Sequence, residues 1–327
     1  MINILKRTVP RRAHTRLFKF RSQLRLYKEY RADRARYGRN CLPGEIVCDA
    51  HTGAKNLEAQ LTKDYHRVEK GLALPQPKRP FGSIVSARLQ ANISLGKSAS
   101  DVASTALLAE SAHEALRAWN ERGFITEEVA PAARSAGCGL NHADQFFRSR
   151  HSVRDFDTTE VYDSTLAHAV DLAICSPSVC NRQAWQVRFF RGDAVARVLA
   201  HQNGNSGFTH VVPVVALVTV DTRLFSGPGE RNQPWIEGGI FSMSFVWALH
   251  ALGLASCMLN MSLTNSRVDS LRNEFGIDDC ELVIMMIAIG HARRGHRIAR
   301  SPRRSIDEVV ISQEQKWVPY VTRGDDE

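Results

Sequence analysis

Hydrophobic residues in the second half of the chain alternate between short continuous runs and longer segments with helical spacing. The continuous runs predict strands at residues 185–191, 211–221, 255–259 and 281–290. The helical spacing predicts helices at residues 164–175, 235–252 and 265–275. Because the two kinds of element alternate, we expect an α+β fold in which helices flank one mixed central sheet.

The first 140 residues carry helical periodicity without strand signals. Helices are predicted at residues 56–74 and 99–122, and Pro75, Pro77 and Pro80 predict an extended segment after the first of them. Small residues between 130 and 140 indicate a linker. The chain is therefore divided into an arm (1–40), a helical extension (41–144) and a sheet-containing domain (145–327).

The arm contains an apolar stripe on a strongly basic helix. Leu17, Phe20, Leu24 and Tyr27 follow one another at 3-4-3 spacing, which puts them on one helical face. The stripe could pack on the body of the protein, or the helix could lie on an anionic membrane surface or a partner. A transit peptide is also compatible, since Glu29 is the first acidic residue.

The formal net charge of +9 belongs to the amino-terminal region. Residues 1–60 hold 14 Lys and Arg against 5 Asp and Glu, which accounts for the whole net charge. No helix-turn-helix or RNA-binding motif accompanies it, so we expect no specific nucleic-acid partner. No apolar run approaches the ~20 residues of a membrane span. We expect a cytoplasmic protein, with peripheral membrane contact as one option.

Two short motifs contain candidate ligand-binding groups. In Arg150-His151-Ser152-Val153-Arg154, two guanidinium groups and a hydroxyl could surround a phosphate, although a basic turn would look the same. The segment 176–185 follows a predicted helix and leads into a strand. Its side-chain amides offer both donors and acceptors to the edge of a flat heterocycle, although an ordinary Asn/Ser/Pro turn also fits.

Two later segments add weaker signals. Gly253 and Ala255 would let the backbone approach a flat ligand closely, but they would serve helix–strand packing equally well. An arginine-rich tail follows the last predicted strand. It could return to complete a phosphate site or remain a solvated surface.

Taken in order, these four motifs resemble the nitroreductase family over roughly residues 145–312. The resemblance implies a three-layer sandwich, an FMN cofactor, NAD(P)H as the reductant and a nitroaromatic, quinone or enone as the small-molecule electron acceptor. It implies chemistry on the flavin, with no catalytic side chain and no metal. The FMN phosphate and ribityl chain would be bound by Arg150, His151, Ser152, Arg154, Arg303 and Arg304. The flavin ring edge would be lined by Pro177, Ser178 and Asn181, with Gln183 supporting the loop. Met258, Phe208 or Trp235 could cover the flavin from the partner subunit.

The resemblance also implies a homodimer with FMN at the subunit interface, and the helix from Trp235 is a plausible dimer core. Arg154 or Arg182 could stabilise the reduced flavin. The chain departs from the family pattern in two places. Ala184 stands where many members have Pro, and Ser301 occupies the position of a common tail Lys, which would remove one phosphate contact.

The segment His66-Arg67-Val68-Glu69-Lys70-Gly71-Leu72, with Phe81-Gly82, resembles the extension of nitroreductase-like proteins associated with polysaccharide biosynthesis. An alternative function follows from this second resemblance. In it the chain is a catalytically silent scaffold in cell-envelope polysaccharide biosynthesis, recruited through its basic arm.

Overall fold

The computed structural model describes residues 11–132, 140–299 and 301–311. Its helices are α1 (Arg11–Asn40), α2 (Ala54–Leu72), α3 (Ser83–Ser98), α4 (Ala103–Arg122), α5 (Ala143–Ser149), α6 (Asp163–Ala173), α7 (Asp193–Leu199), α8 (Gln233–Ala251), α9 (Asn265–Phe275) and α10 (Ile306–Val309). Its strands are β1 (Trp185–Arg191), β2 (Val214–Asp221), β3 (Ala255–Asn260) and β4 (Glu281–Gly290).

The four strands form one sheet in the order β1-β2-β4-β3, and each neighbouring pair is antiparallel. Central strand β2 is buried along its whole length, as its continuous apolar sequence predicts. The sheet was predicted to be mixed. Within the described residues, parallel pairing at this sheet is limited to one isolated bridge, between Ser152 and Ser256 at the edge of β3.

Helices cover both faces of the sheet and make the predicted three-layer sandwich. One core cluster lies between the sheet and helices α6 and α8, where Trp185 of β1 stacks on Phe241 with ring centroids 5.1 Å apart. A second cluster lies between the opposite face and helices α7 and α9, and includes Leu199 and Leu271. Gly238 allows α8 to approach the sheet, since a Cβ there would lie 2.5 Å from Cγ1 of Ile284.

Helices α2, α3 and α4 pack around a third core of their own, which includes Leu61, Leu89 and Leu116. The sequence did not predict α3. Its inward side contains the buried polar residues Arg88 and Asn92, which break the apolar periodicity on which helix prediction depends. The predicted linker at 130–140 falls largely outside the described residues.

Helix α1 is attached to the body through its carboxy-terminal half. The Arg36 guanidinium donates to Asp279 at 3.0 Å, to Asp269 at 3.1 Å and to Asn265 at 2.7 Å. The apolar stripe of the arm is exposed, so the interpretation in which it packs on the body of the same chain is wrong. The contacts with the body come from a different side of the helix. None of the described helices combines the length and hydropathy that a membrane crossing requires.

Candidate functional site

The first motif lies in an extended segment, residues 150–157, which we call the clamp segment. Its backbone is attached to the sheet at two points. The Val153 N–H donates to the Ser256 carbonyl at 3.0 Å, and the Asp157 N–H donates to the His291 carbonyl at 2.9 Å. Phe156 lies over Gly290, where a Cβ would come within 2.7 Å of its ring. The motif is therefore held beside β3 and the end of β4, and is not a free basic turn.

The clamp segment and the tail together line a cavity of about 150 Å³, which we call the clamp cavity. Its lining consists of Arg150, His151, Ser152, Arg154, Ala299, Ser301 and Arg303. The structure thus brings the tail back to the first motif. Arg304 is exposed and is not part of this lining. Ser301, at the position of the common family Lys, contributes a hydroxyl and no cation.

The charge of this cavity suits an anion. Arg150, Arg154 and Arg303 form no ion pair with any carboxylate in the described part of the chain, and the lining contains no acidic residue. The nearby Asp155 is paired with Arg293 at 2.8 Å. Three unpaired guanidinium groups beside a serine hydroxyl match the donors that a phosphate monoester requires. The side chains present therefore fit the phosphate of a nucleotide cofactor.

A second cavity, of about 250 Å³, shares Arg150 and His151 with the first. Its lining also includes Gly253, His250 and His296, so the third motif lies beside the first. Gly253 has a left-handed backbone with φ of 77°. The Arg150 guanidinium lies 5.7 Å from the centroid of the Trp247 ring. The sequence did not single out His250 or His296, because an isolated His carries no positional signal.

The second motif lies at the opposite end of the sheet. Residues 177–183, which we call the ring-edge loop, precede Trp185 at the start of β1, whereas the clamp segment lies beside the start of β3. Strand β1 spans the pairings from Trp185–Val220 to Arg191–Val214, which at ~3.3 Å per residue is roughly 20 Å. One chain therefore does not bring the two predicted parts of the flavin site together.

Within the ring-edge loop, Asn181 and Gln183 are exposed and contact each other. The Gln183 side-chain amide donates to Oδ1 of Asn181 at 3.2 Å, and the Gln183 N–H donates to Oγ of Ser178 at 3.1 Å. Pro177 is exposed beside them. Met258, in contrast, is partly buried against the core under α8 and does not line the clamp cavity.

Arg182 is not available to a ligand in this structure. Its side chain is fully buried, and its guanidinium donates to Glu230 at 2.9 Å and lies 5.2 Å from the Phe225 ring centroid. The suggestion that Arg182 stabilises a reduced flavin is therefore wrong for the single chain. Its partner Glu230 lies 48 residues away along the sequence, so sequence spacing gave no sign of the pair.

Comparisons with known proteins find similarities in the sheet-containing half of the chain. The family model described as "Nitroreductase family" matches residues 147–203 and 189–291. A protein of Methanothermobacter thermautotrophicus with the provisional name NADH dehydrogenase/NAD(P)H nitroreductase is 23% identical over 145 residues, covering 44% of this chain and 74% of the relative. A Streptomyces coelicolor protein with the same provisional name is 24% identical over 190 residues, covering 52% and 94%.

Among solved structures, an FMN-dependent nitroreductase of Clostridium difficile has a TM-score of 0.41 at 20% identity and covers 48% of this chain and 91% of its own. A Desulfovibrio desulfuricans nitroreductase-like protein in complex with FMN has a TM-score of 0.45 at 21% identity, covering 54% and 98%. The family model therefore matches this chain within its sheet-containing half. The match does not extend to helices α1 to α4.

Proposed function

We propose that the protein is an FMN-dependent oxidoreductase that takes hydride from NAD(P)H and passes it to a small electron-poor acceptor. The observation that carries the proposal is the clamp cavity, where Arg150, Arg154 and Arg303 converge without an acidic partner among the described residues. The match to the nitroreductase family model and the names of the relatives support the same activity. The acceptor class is a nitroaromatic, a quinone or an enone, as the family resemblance implies.

The residues of this chain would bind and orient the cofactor, while bound FMN supplies the hydride chemistry. In the clamp cavity, Arg150, Arg154 and Arg303 would neutralise the phosphate charge, and the hydroxyl of Ser152 would donate to a phosphate oxygen. His151 would line the path between the clamp cavity and its neighbour. The exposed amides of Asn181 and Gln183 would recognise the ring edge.

The proposal includes a homodimer. The clamp cavity and the ring-edge loop lie at opposite ends of the sheet, so one flavin can contact both only if they belong to two copies. An apolar surface suited to such pairing is present on α8, where the half-exposed Trp235 and Ile236 are followed by Ile240 and Met243 on the outward side. Sedimentation of the purified protein should give the mass of a dimer, and a monomer with full flavin occupancy would contradict this part.

The cofactor assignment is tested by FMN titration of the Arg150→Ala variant. Loss of a charge-assisted contact to phosphate should weaken FMN binding by about 1.5–3 kcal/mol. Arg148→Ala is the matched control. It removes the same charge only two residues from Arg150, but the Arg148 side chain is paired with Asp144. Wild-type protein that takes up no FMN, or whose flavin absorbance does not bleach with NADPH, would contradict the proposed activity.

A second function, docking on an anionic lipid surface, is favoured by the orientation of the arm. Leu17, Phe20 and Tyr27 of the stripe are 46%, 66% and 63% exposed. From 3.6 residues per turn, the centre of the stripe lies roughly 140° around the helix axis from Arg36, which contacts the body. The stripe therefore faces outward, as an interfacial helix requires.

The charge of the arm favours lipid over a second copy of the same helix. Residues 11–28 contain seven Lys and Arg and no Asp or Glu. Two such helices paired along the stripe would repel each other, whereas anionic head groups would neutralise them. The proposed occupant is therefore an anionic bilayer, with the stripe entering the head-group region.

Vesicle co-sedimentation tests this second function. The double variant Phe20→Glu/Leu24→Glu should lose about tenfold in affinity for phosphatidylserine vesicles, because it places acids in the apolar contact. Leu107→Glu/Leu108→Glu is the matched control, since it alters exposed leucines of α4. Equal binding by wild type and stripe variant, or binding to phosphatidylcholine alone, would contradict lipid docking. A stripe variant that changes the oligomeric state would indicate protein pairing instead.

A further inference from the structure

The ring-edge loop has a backbone that its surroundings must hold in place. Cys180, Asn181 and Gln183 have φ values of 50°, 52° and 48°, so three of four consecutive residues are left-handed without being glycine. Such conformations are disfavoured for side chains with a Cβ and persist only where other contacts determine them. The loop therefore depends on residues outside itself.

Two glutamates outside the loop form hydrogen bonds with it. Arg182, in the middle of the loop, donates to Oε2 of Glu230 at 2.9 Å and to the Val179 carbonyl at 3.1 Å. The Val179 N–H donates to Oε1 of Glu237 at 2.8 Å. Because Arg182 and Glu237 are buried, neither contact can readily be replaced by water.

The Glu230 carboxylate is in turn linked to helix α2. Its Oε2 accepts from the Ser226 N–H at 2.7 Å, and the buried Lys63 of α2 donates to Oγ of Ser226 at 2.7 Å. Burial acts to raise the pKa of Glu230, but the hydrogen bond and charge of Arg182 and the Ser226 N–H, with a smaller contribution from the Lys63 charge, leave that pKa below its ordinary value. Lys63 therefore helps to keep Glu230 charged.

The other charges of α2 extend this network to Glu45 and to helix α3. Lys63 lies 3.6 Å from Glu45, which pairs with Arg67 and with Arg88 of α3. Buried Asp64 accepts from Nε of Arg88 at 2.9 Å. Arg67 belongs to the segment 66–72 that resembles the polysaccharide-associated extension. The family model does not cover this part of the chain, so the match assigns no function to it.

We propose that helix α2 positions the ring-edge loop for flavin, and that Lys63 transmits this effect through Ser226 and Glu230 to Arg182. Lys63 is a positioning residue, since it reaches the loop only through other groups. The proposal rests on the proposed function for its role in catalysis, but the coupling itself is a property of the chain.

Hydrogen exchange of the flavin-free, full-length protein tests the coupling. In Lys63→Met, which keeps the aliphatic stem and removes the charge, the amides of residues 178–183 should exchange about tenfold faster. Lys63→Arg should restore most of the protection. Lys97→Met is the matched control, because Lys97 lies in the same helical unit and pairs with Glu110 on an exposed surface.

Flavin binding provides the second measurement. With FMN added, Lys63→Met should shift the visible flavin spectrum and raise the KM for the acceptor severalfold, because the ring edge is held less firmly while the clamp cavity is unchanged. Unchanged loop exchange in Lys63→Met overturns the inference, whether or not flavin binds. Faster exchange with a wild-type flavin spectrum and KM reduces Lys63 to a structural role and also overturns it. Wild-type protein that takes up no FMN overturns the proposed function instead, and the exchange result still decides the coupling.

Discussion

The clamp segment and the ring-edge loop both contain arginine, and they use it in opposite ways. In the clamp segment, Arg150 and Arg154 face a cavity and have no carboxylate partner in the described structure. In the ring-edge loop, Arg182 is fully buried against Glu230. A guanidinium paired inside the chain stabilises the local fold, and one left unpaired beside a cavity remains available to an anion.

The difference arises from the elements behind each segment. The clamp segment lies along the edge of the sheet and is held by backbone hydrogen bonds, so its arginine side chains are free to face the cavity. The ring-edge loop has left-handed residues and is held through side chains, including Arg182 and Glu230. Substitutions at the two sites should therefore separate stability from ligand binding.

The largest effect is expected for Arg182→Met. Removing one member of a buried ion pair leaves Glu230 uncompensated, which should lower the free energy of unfolding by about 3–5 kcal/mol. Denaturant titration measures this change. The double variant Arg182→Met/Glu230→Gln should recover part of the loss, because it removes the stranded charge. A loss of unfolding free energy below 1 kcal/mol in the single variant would show that the Arg182–Glu230 pair does not hold the ring-edge loop in its conformation.

An intermediate effect is expected for Arg303→Ala. This variant should change FMN binding and leave the stability of the fold nearly unchanged. The side chain lines the clamp cavity from the tail, so its loss should weaken FMN affinity by about 1.5–3 kcal/mol while unfolding changes by less than ~0.5 kcal/mol. Arg304→Ala should have the smaller effect on affinity, since Arg304 does not line the cavity. Equal losses in the two variants would contradict the assignment of Arg303 as the tail contact.

The sequence was informative where one local pattern determines the structure. Strands β1 and β4 and helix α9 begin and end at the predicted residues, because each combines a clear period with a polar or glycine boundary. Predicted strand 211–221 begins only at Val214, since residues Thr209–Val211 form a short 3₁₀ turn. The outward position of the α1 stripe could not be predicted. It depends on long-range contacts of Glu29 and Arg36 with the body, which no local pattern encodes.

For the site, motif order indicated candidate ligand-binding side chains but not which of them lie close together. Arg303 joins Arg150 because the tail returns to the edge of β3, a tertiary fact that the arginine run alone left open. The separation of Asn181 from the clamp cavity follows from antiparallel strand pairing, so it could not be deduced from spacing. The role of Arg182 was missed because its partner is remote in sequence.

The smallest effect is expected in the pH dependence of stability, through the ion pairs of Glu45. The hydrogen bond from Arg67 holds the pKa of Glu45 well below its usual 4.5, at about 2, with further help from the charges of Lys63 and Arg88. A depressed carboxyl pKa contributes stability that is fully present above pH 4.5 and is lost as the pH falls toward 2. Because Glu45 is about one third exposed, solvent screening should limit this contribution to about 1 kcal/mol.

Glu45→Gln should therefore lower the free energy of unfolding by about 1 kcal/mol at pH 6, with the difference from wild type shrinking steadily below pH 4.5. Urea titrations between pH 3 and pH 7 measure it. Glu110→Gln is the matched control and should change stability less, because its pair with Lys97 is more exposed. A pH-independent difference for Glu45→Gln would show that its ion pairs do not stabilise α2, and the charge network that supports the ring-edge loop would then end at Lys63.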